Sequence, residues 1–242
     1  GHMIKTPVNG PTLPLRFLLP FFCLGILPCS YSIPDKENLF PVSPSPKKLS
    51  PLMERELRGC FDFFWKEWNS DPKSPTYGMT NGDYIGIHNY VPMAIEEQGF
   101  YFTAIIIGVE REWITREEGE KRIIITLETL KKLKRINGFW YHFIDPDTGK
   151  RGWRDSHNIE LSNASAGTML LGALAAAEYF GGEIKKLTNE LYAQMNWKWF
   201  TNPETKHPYL ACYPEDLPKK VPHGINKDGM FGGWSAYSEH IF

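Results

Sequence analysis

Two kinds of helical segment alternate along this chain, and the links between them alternate between very short and very long. Residues 94–113 and 162–180 are apolar all round. The first carries Phe100, Tyr101, Phe102, Ala104, Ile105, Ile106, Ile107 and Val109; the second is a run of small and apolar residues from Ala164 to Ala177. A helix that is apolar on every side is buried on every side. The isoleucine run has strand propensity, but its length and Glu-rich ends favour a helix. Residues 51–67, 115–135 and 183–200 instead carry one apolar stripe each. Leu57, Phe61 and Phe64 form the first, which continues to Trp68. Ile123, Leu127 and Leu130 form the second, and Ile184, Leu187 and Leu191 the third. Such one-sided helices lie on the outside. The predicted order is exposed, buried, exposed, buried, exposed, with a further helix starting near Trp234.

Local signals set the boundaries. Ser50 before Pro51 opens the first helix. Thr115 with Glu118 three positions on makes a capping box. Gly181 and Gly182 stop the second apolar helix. The links near Trp113–Ile114 and Gly181–Gly182 are short, whereas 69–93, 136–161 and 201–233 are long. Long loops in compact domains are uncommon and usually functional. In an antiparallel array all three emerge on one side, at the N-terminal ends of the buried helices, where backbone N–H groups point outward. This is the layout of an all-α fold of the α/α-toroid type. A helical solenoid, the alternative, requires a clearer sequence repeat.

The first fifty residues do not belong to this plan. Ten of the 19 prolines lie in residues 1–51. Gly1, His2 and Met3 read as the remnant of a cleaved affinity tag. Lys5 and Arg16 precede a short apolar run from Phe17 to Leu27, followed by Pro28, Cys29 and Ser30. That pattern predicts a secretory leader over 1–29, too short and Pro-broken to span a bilayer. Cys29 is a candidate lipid-anchor site, although Pro28 fits the small-residue rule badly. Residues 30–50 read as a Pro/Ser-rich tether, leaving 51–242 to fold. The expected location is therefore exported: periplasmic or secreted, or anchored to a membrane as a lipoprotein. Cys60 and Cys212 fall in the folded part, where a disulfide between them is open.

Composition narrows the function. Twenty-seven basic against 28 acidic residues give a formal charge of −1, without the basic excess of a nucleic-acid binder. No CxxC, HExxH, phosphate-binding Gly-rich loop or GxSxG elbow occurs, so the pattern calls for no metal and no cofactor. The chain is rich in aromatics, with 8 Trp, 11 Tyr and 15 Phe, and the long loops mix them with acids. The first loop has Tyr84 and His88; the second has Tyr141, His142, Trp153, Arg154, Asp155 and Glu160; the third has Tyr213, Glu215, Trp234 and Glu239. Glycoside hydrolysis uses two carboxyl groups across the scissile bond, and aromatic faces hold sugar rings. Glu160 and Glu239 each precede an apolar helix. Either acid acts in general acid–base catalysis, or it only favours a helix N-terminus electrostatically. Asp155 reads more as a solvated loop charge. The segment Asp145 to Gly149 reads as a plain turn, and the histidines as surface or hydrogen-bonding residues.

Several strings resemble the bacterial glycoamylase-like domain family, which includes exported endo-β-1,2-glucanases. They are Gly99-Phe100, Ile107 to Glu118, Tyr141 to Arg151, Glu160-Leu161-Ser162, Leu171 to Phe180 and Gly233 to Glu239, in order across 52–242. The resemblance implies an (α/α)6 toroid and metal-independent, inverting hydrolysis of β-1,2-linked glucan by acids in the toroid mouth. It implies catalytic roles for Glu160 and Glu239, with Asp155 as a further candidate. It implies a sugar-stacking role for Trp234, with Tyr141, Tyr84, His88, Trp153 and Arg154 as further substrate-binding candidates.

The sequence also departs from the family. Ser165 stands where the family has an Asp facing the cavity. Glu96, Glu97 and Gln98 stand where small polar residues are usual, as altered site groups or as charges at a helix N-terminus. Only about two and a half of six helical hairpins are counted, so the expectation is the N-terminal half of a toroid, completed by a missing C-terminal half or a partner chain. A non-catalytic glucan-binding or glucan-sensing protein, or an inactive fragment of the hydrolase, is the alternative.

Overall fold

The computed structural model describes residues 49–82, 91–152, 159–215, 225–226 and 228–233. The leader, most of the tether and the helix expected from Trp234 lie outside the described residues.

The helices start and stop where the local chemistry dictates. Helix α1 (Pro51–Lys66) has Pro51 in its first turn, and the Ser50 hydroxyl accepts from Met53 N–H at 3.3 Å. Helix α2 (Ile95–Glu110) contains the isoleucine run, so the helical reading holds. Helix α3 (Arg116–Lys132) opens on the predicted capping box: Glu118 N–H donates to Thr115 Oγ1 at 3.2 Å, and Thr115 N–H donates to Glu118 Oε2 at 2.8 Å. Helix α4 (Asn163–Phe180) is capped by Ser162 and ends at Gly181, whose φ of 74° suits glycine.

Helix α5 (Gly182–Ala193) is shorter than predicted. Asn196 N–H is taken by Asn137 O, and the Asn196 side chain caps a separate 3-10 turn, Trp197–Phe200. The intended stripe is intact, because Ile184, Leu187 and Leu191 are buried.

Helices α2 and α4 form an inner pair in close contact, α1 and α3 pack on α2, and α5 packs on α4 and α3. Glycines make the inner contact close. A Cβ added at Gly172 would sit 2.1 Å from Gly99 O, and one added at Gly99 would sit 2.3 Å from Thr168 O. On the outer side, a Cβ at Gly108 would meet the Phe61 ring at 2.3 Å. The core runs through Tyr101, Phe102, Ile105, Ile123, Leu127, Met169, Ala173 and Leu187.

Burial of α2 and α4 on every side needs correction. Phe100 is 54% and Leu171 43% exposed. The outer helices cover one side of the inner pair, and among the described residues an apolar face of each inner helix stays open.

The all-α expectation is also corrected in part. The helical plan stands and is consistent with part of a toroid, but the loop end carries two small antiparallel sheets. Strand β1 (Met93–Ala94) pairs with β2 (Phe143–Ile144), and β3 (Leu161–Ser162) pairs with β4 (Ala211–Cys212), which pairs with β5 (Met230–Phe231). An isolated bridge, Tyr141–Leu161, links the two sheets. Two-residue strands are too short to leave a period-two pattern.

Both thiols are free: Cys60 is exposed on α1 and Cys212 is buried in β4. Burial pushes the Cys212 thiol up to about 12. No described helix is long and apolar enough to cross a membrane.

Candidate active site

The backbone ladder brings three distant segments side by side. Ile95 N–H donates to His142 O at 3.1 Å, and His142 N–H donates to Glu160 O at 2.8 Å. The side chains follow. His142 Nδ1 lies 2.8 Å from Glu160 Oε1, and His142 Nε2 lies 2.8 Å from Glu96 Oε1. All three side chains are about three-quarters buried. Glu96 sits in the first turn of α2, and Glu160 sits two residues before the Ser162 cap of α4. The trio therefore stands at the N-terminal ends of both inner helices, on the side where the sequence predicts the long loops to gather.

Burial opposes charge on all three groups, and their mutual contacts outweigh it. Burial pushes His142 down, but hydrogen bonds and charge from Glu160 and Glu96 raise it to about 9. Burial pushes Glu160 up, but the hydrogen bond to His142, a backbone amide and the imidazolium charge bring it below the usual carboxylate range. Glu96 behaves likewise: burial pushes it up, while His142, a backbone amide and the Ser165 hydroxyl bring it down. Both acids are held ionised around a charged imidazole.

The surroundings are polar and aromatic. The Phe143 ring stacks on His142 at 4.0 Å. Tyr213, just after β4, stacks on Phe231 at 5.2 Å. Burial, followed by the charge of Glu160, raises its phenol. Tyr141 has its ring buried; its hydroxyl donates to Glu215 Oε2 at 2.8 Å, and the Arg151 guanidinium lies 5.0 Å from its ring centre. Glu215 also pairs with Lys134, which with Tyr141 holds its carboxyl below the usual range. Ser165 is buried in the first turn of α4, 3.0 Å from the Ser162 hydroxyl. Among the described residues no group of His, Cys, Asp and Glu converges on a common metal position.

Of the residues singled out from the sequence, Glu160 and Tyr141 are described, in segments joined by the Tyr141–Leu161 bridge. Glu239, Asp155, Trp234, Tyr84, His88, Trp153 and Arg154 lie outside the described residues. Asp145 to Gly149 is the predicted turn: Asp145 Oδ1 accepts from Asp147 N–H, Thr148 N–H and Thr148 Oγ1. Sequence reasoning missed the partnership of His142. Its contacts lie 46 and 18 residues away, and no local spacing signals them. The one available signal was Glu96 itself, an unusual acid at a helix start.

No family model matches the chain. Over 159 residues it is 31% identical to an exo β-1,2-glucooligosaccharide sophorohydrolase (non-reducing end) of Parabacteroides distasonis, a match covering 62% of this chain and 21% of that protein. The chain thus spans about a fifth of the length of this curated relative. Its fold is similar to a candidate glucoamylase from Bacteroides uniformis, at 27% identity and a TM-score of 0.58 over 69% of this chain and 41% of that one. It is also similar to a β-1,2-glucanase from Parabacteroides distasonis, at 26% identity and a TM-score of 0.58 over 68% of this chain and 24% of that one. In sequence and in fold, this chain is similar to the glucoamylase-like, β-1,2-glucanase-like family that its motifs imply.

Proposed function

We propose that this chain forms part of a glycoside hydrolase that cleaves β-glucan, β-1,2-linked glucan first, by metal-independent acid–base chemistry with inversion. The observation that carries this reading is Glu160, held ionised by His142 at the N-terminal ends of α2 and α4. An ionised, fixed carboxylate has the charge state that a general base needs to take a proton from the attacking water. The proton donor is then a second acid, and Glu239 is the candidate carried by the resemblance. The relatives named for β-1,2-glucan hydrolysis support the substrate class. Export fits such a substrate, with 1–29 as leader, 30–50 as tether, Cys29 as the candidate lipid-anchor site and 51–242 as the catalytic part of a toroid.

The test is incubation of the full chain with linear β-1,2-glucan and analysis of released oligosaccharides. We expect products whose new reducing ends appear first as the α-anomer by NMR. Glu160→Gln should lower turnover by about a hundredfold or more, the usual scale for loss of an acid–base group. Absence of products from several β-glucans refutes the hydrolase.

A second reading, glucan binding without turnover, is favoured by Ser165. It places a hydroxyl where the resemblance puts a carboxylate, and a serine cannot act as a carboxylate base. Glucan binding by a chain that releases no product would select this reading.

A further inference from the structure

Both ring nitrogens of His142 lie 2.8 Å from carboxylate oxygens on different elements. An ionised carboxylate only accepts, and a neutral imidazole carries a single N–H. With both acids ionised, the two contacts are satisfied together only by the doubly protonated ring. The ring cannot swing toward either acid without losing the other. Its backbone is also held on both sides, by Ile95 and by Glu160.

We propose that Glu96 is a positioning residue for Glu160: acting through His142, it keeps the imidazole doubly protonated and so fixes the Glu160 carboxylate for its role as base. This rests on the reading of Glu160 given above. The described groups around the trio support it. Glu96 faces His142 from α2, Glu160 faces it from the segment before β3, and Phe143 covers the ring. Ser165 of α4 acts on Glu96, and Tyr213, itself near Arg151, lies within electrostatic range of Glu160. A carboxylate at 165 would put a further negative charge beside Glu96, whereas a hydroxyl leaves Glu96 as the acid that reaches the imidazole. The upward shift of His142 to about 9 has the direction this arrangement requires.

The first experiment is 15N NMR of the histidine rings in the full wild-type chain, with His142 assigned by its loss in His142→Asn. Near neutral pH both nitrogens should carry protons; a neutral His142 overturns the proposal. The second compares Glu96→Gln, whose amide oxygen still accepts the hydrogen bond but carries no charge. The His142 midpoint should fall by about one pH unit or more, a tenfold loss of proton affinity. An unchanged midpoint overturns the proposal. On β-1,2-glucan, the alkaline limb of kcat should move down with that midpoint while KM holds, which a merely structural role would not produce. If the chain hydrolyses no glucan, the role of Glu160 as base falls, and the assignment of Glu96 to it falls with it. The NMR results then still report separately whether Glu96 controls the charge of His142.

Discussion

The inner helix pair offers a test in which two identical substitutions in one helix should have opposite signs. Glycine to alanine inside a helix ordinarily stabilises by about 1 kcal/mol, through backbone entropy. At Gly167 the added Cβ would meet only the Trp197 ring edge at 3.8 Å, an ordinary contact. Gly167→Ala should therefore stabilise, by roughly 0.5–1 kcal/mol. At Gly172 the same methyl would fall 2.1 Å from Gly99 O and 2.6 Å from Gly99 Cα. That obstacle is backbone, which has no rotamer to yield. The helices must separate by about 1 Å, and forced overpacking of this kind costs about 1–3 kcal/mol or more. Separation also loosens contacts along Phe102, Ala166 and Met169, so the upper end applies and outweighs the propensity gain. The net expectation for Gly172→Ala is a loss of about 2 kcal/mol, or roughly 4–8 °C in Tm for a chain of this size. Urea and thermal unfolding by circular dichroism measure both variants. Equal stability of the two, or a gain at Gly172, would refute the close α2–α4 contact.

Three further outcomes follow from named contacts. Gln98 is fully buried and makes three bonds, accepting from Thr80 N–H at 2.9 Å and donating to Thr80 O and Ala94 O at 3.0 and 2.9 Å. Gln98→Leu strands those backbone groups and should cost about 2–4 kcal/mol in urea denaturation. Thr115→Ala removes the capping hydroxyl of α3 and should cost about 1 kcal/mol by the same measurement. The Glu96–His142–Glu160 trio makes stability depend on pH. His142 is raised from 6.5 to about 9, so its contribution is complete below 6.5 and lost as pH rises through about 9. The two acids are depressed from 4.5, so theirs is present above 4.5 and lost as pH falls through their folded values. Unfolding midpoints should therefore drop toward pH 9, with the His142 share on the order of 3 kcal/mol at most. His142→Gln should flatten that alkaline drop, and a drop that persists unchanged contradicts the assignment.

The helices were legible because their signals are local. The capping box of α3 depends on residues three apart, and the stripes of α3 and α5 repeat every three or four positions. The stop after α5 was not legible, since it depends on Asn137 O, far away in sequence, taking the Asn196 N–H. The open face of α2 and α4 was hidden for the same reason: Phe100 and Leu171 look like core residues to any hydropathy count. In the site, the place of Glu160 before an inner helix could be read, but its charge state could not. That state is set by His142 and Glu96, which only the two-residue strands bring within reach.

Those strands carry a consequence for how this end of the molecule tolerates change. The rungs at Ile95, His142 and Glu160 are anchored by backbone bonds, and the turn after β2 closes on itself through Asp145 N–H to Lys150 O and Gly149 N–H to Asp145 O. The exposed tip of that turn, Asp147 and Thr148, is therefore the part that can change without moving the acids. A single residue inserted between Tyr141 and Phe143 has the opposite effect, because a one-residue slip turns a strand's side chains to the other face. His142 would leave both carboxylates at once. Grafts that diversify this end should keep the rungs and replace only that turn tip.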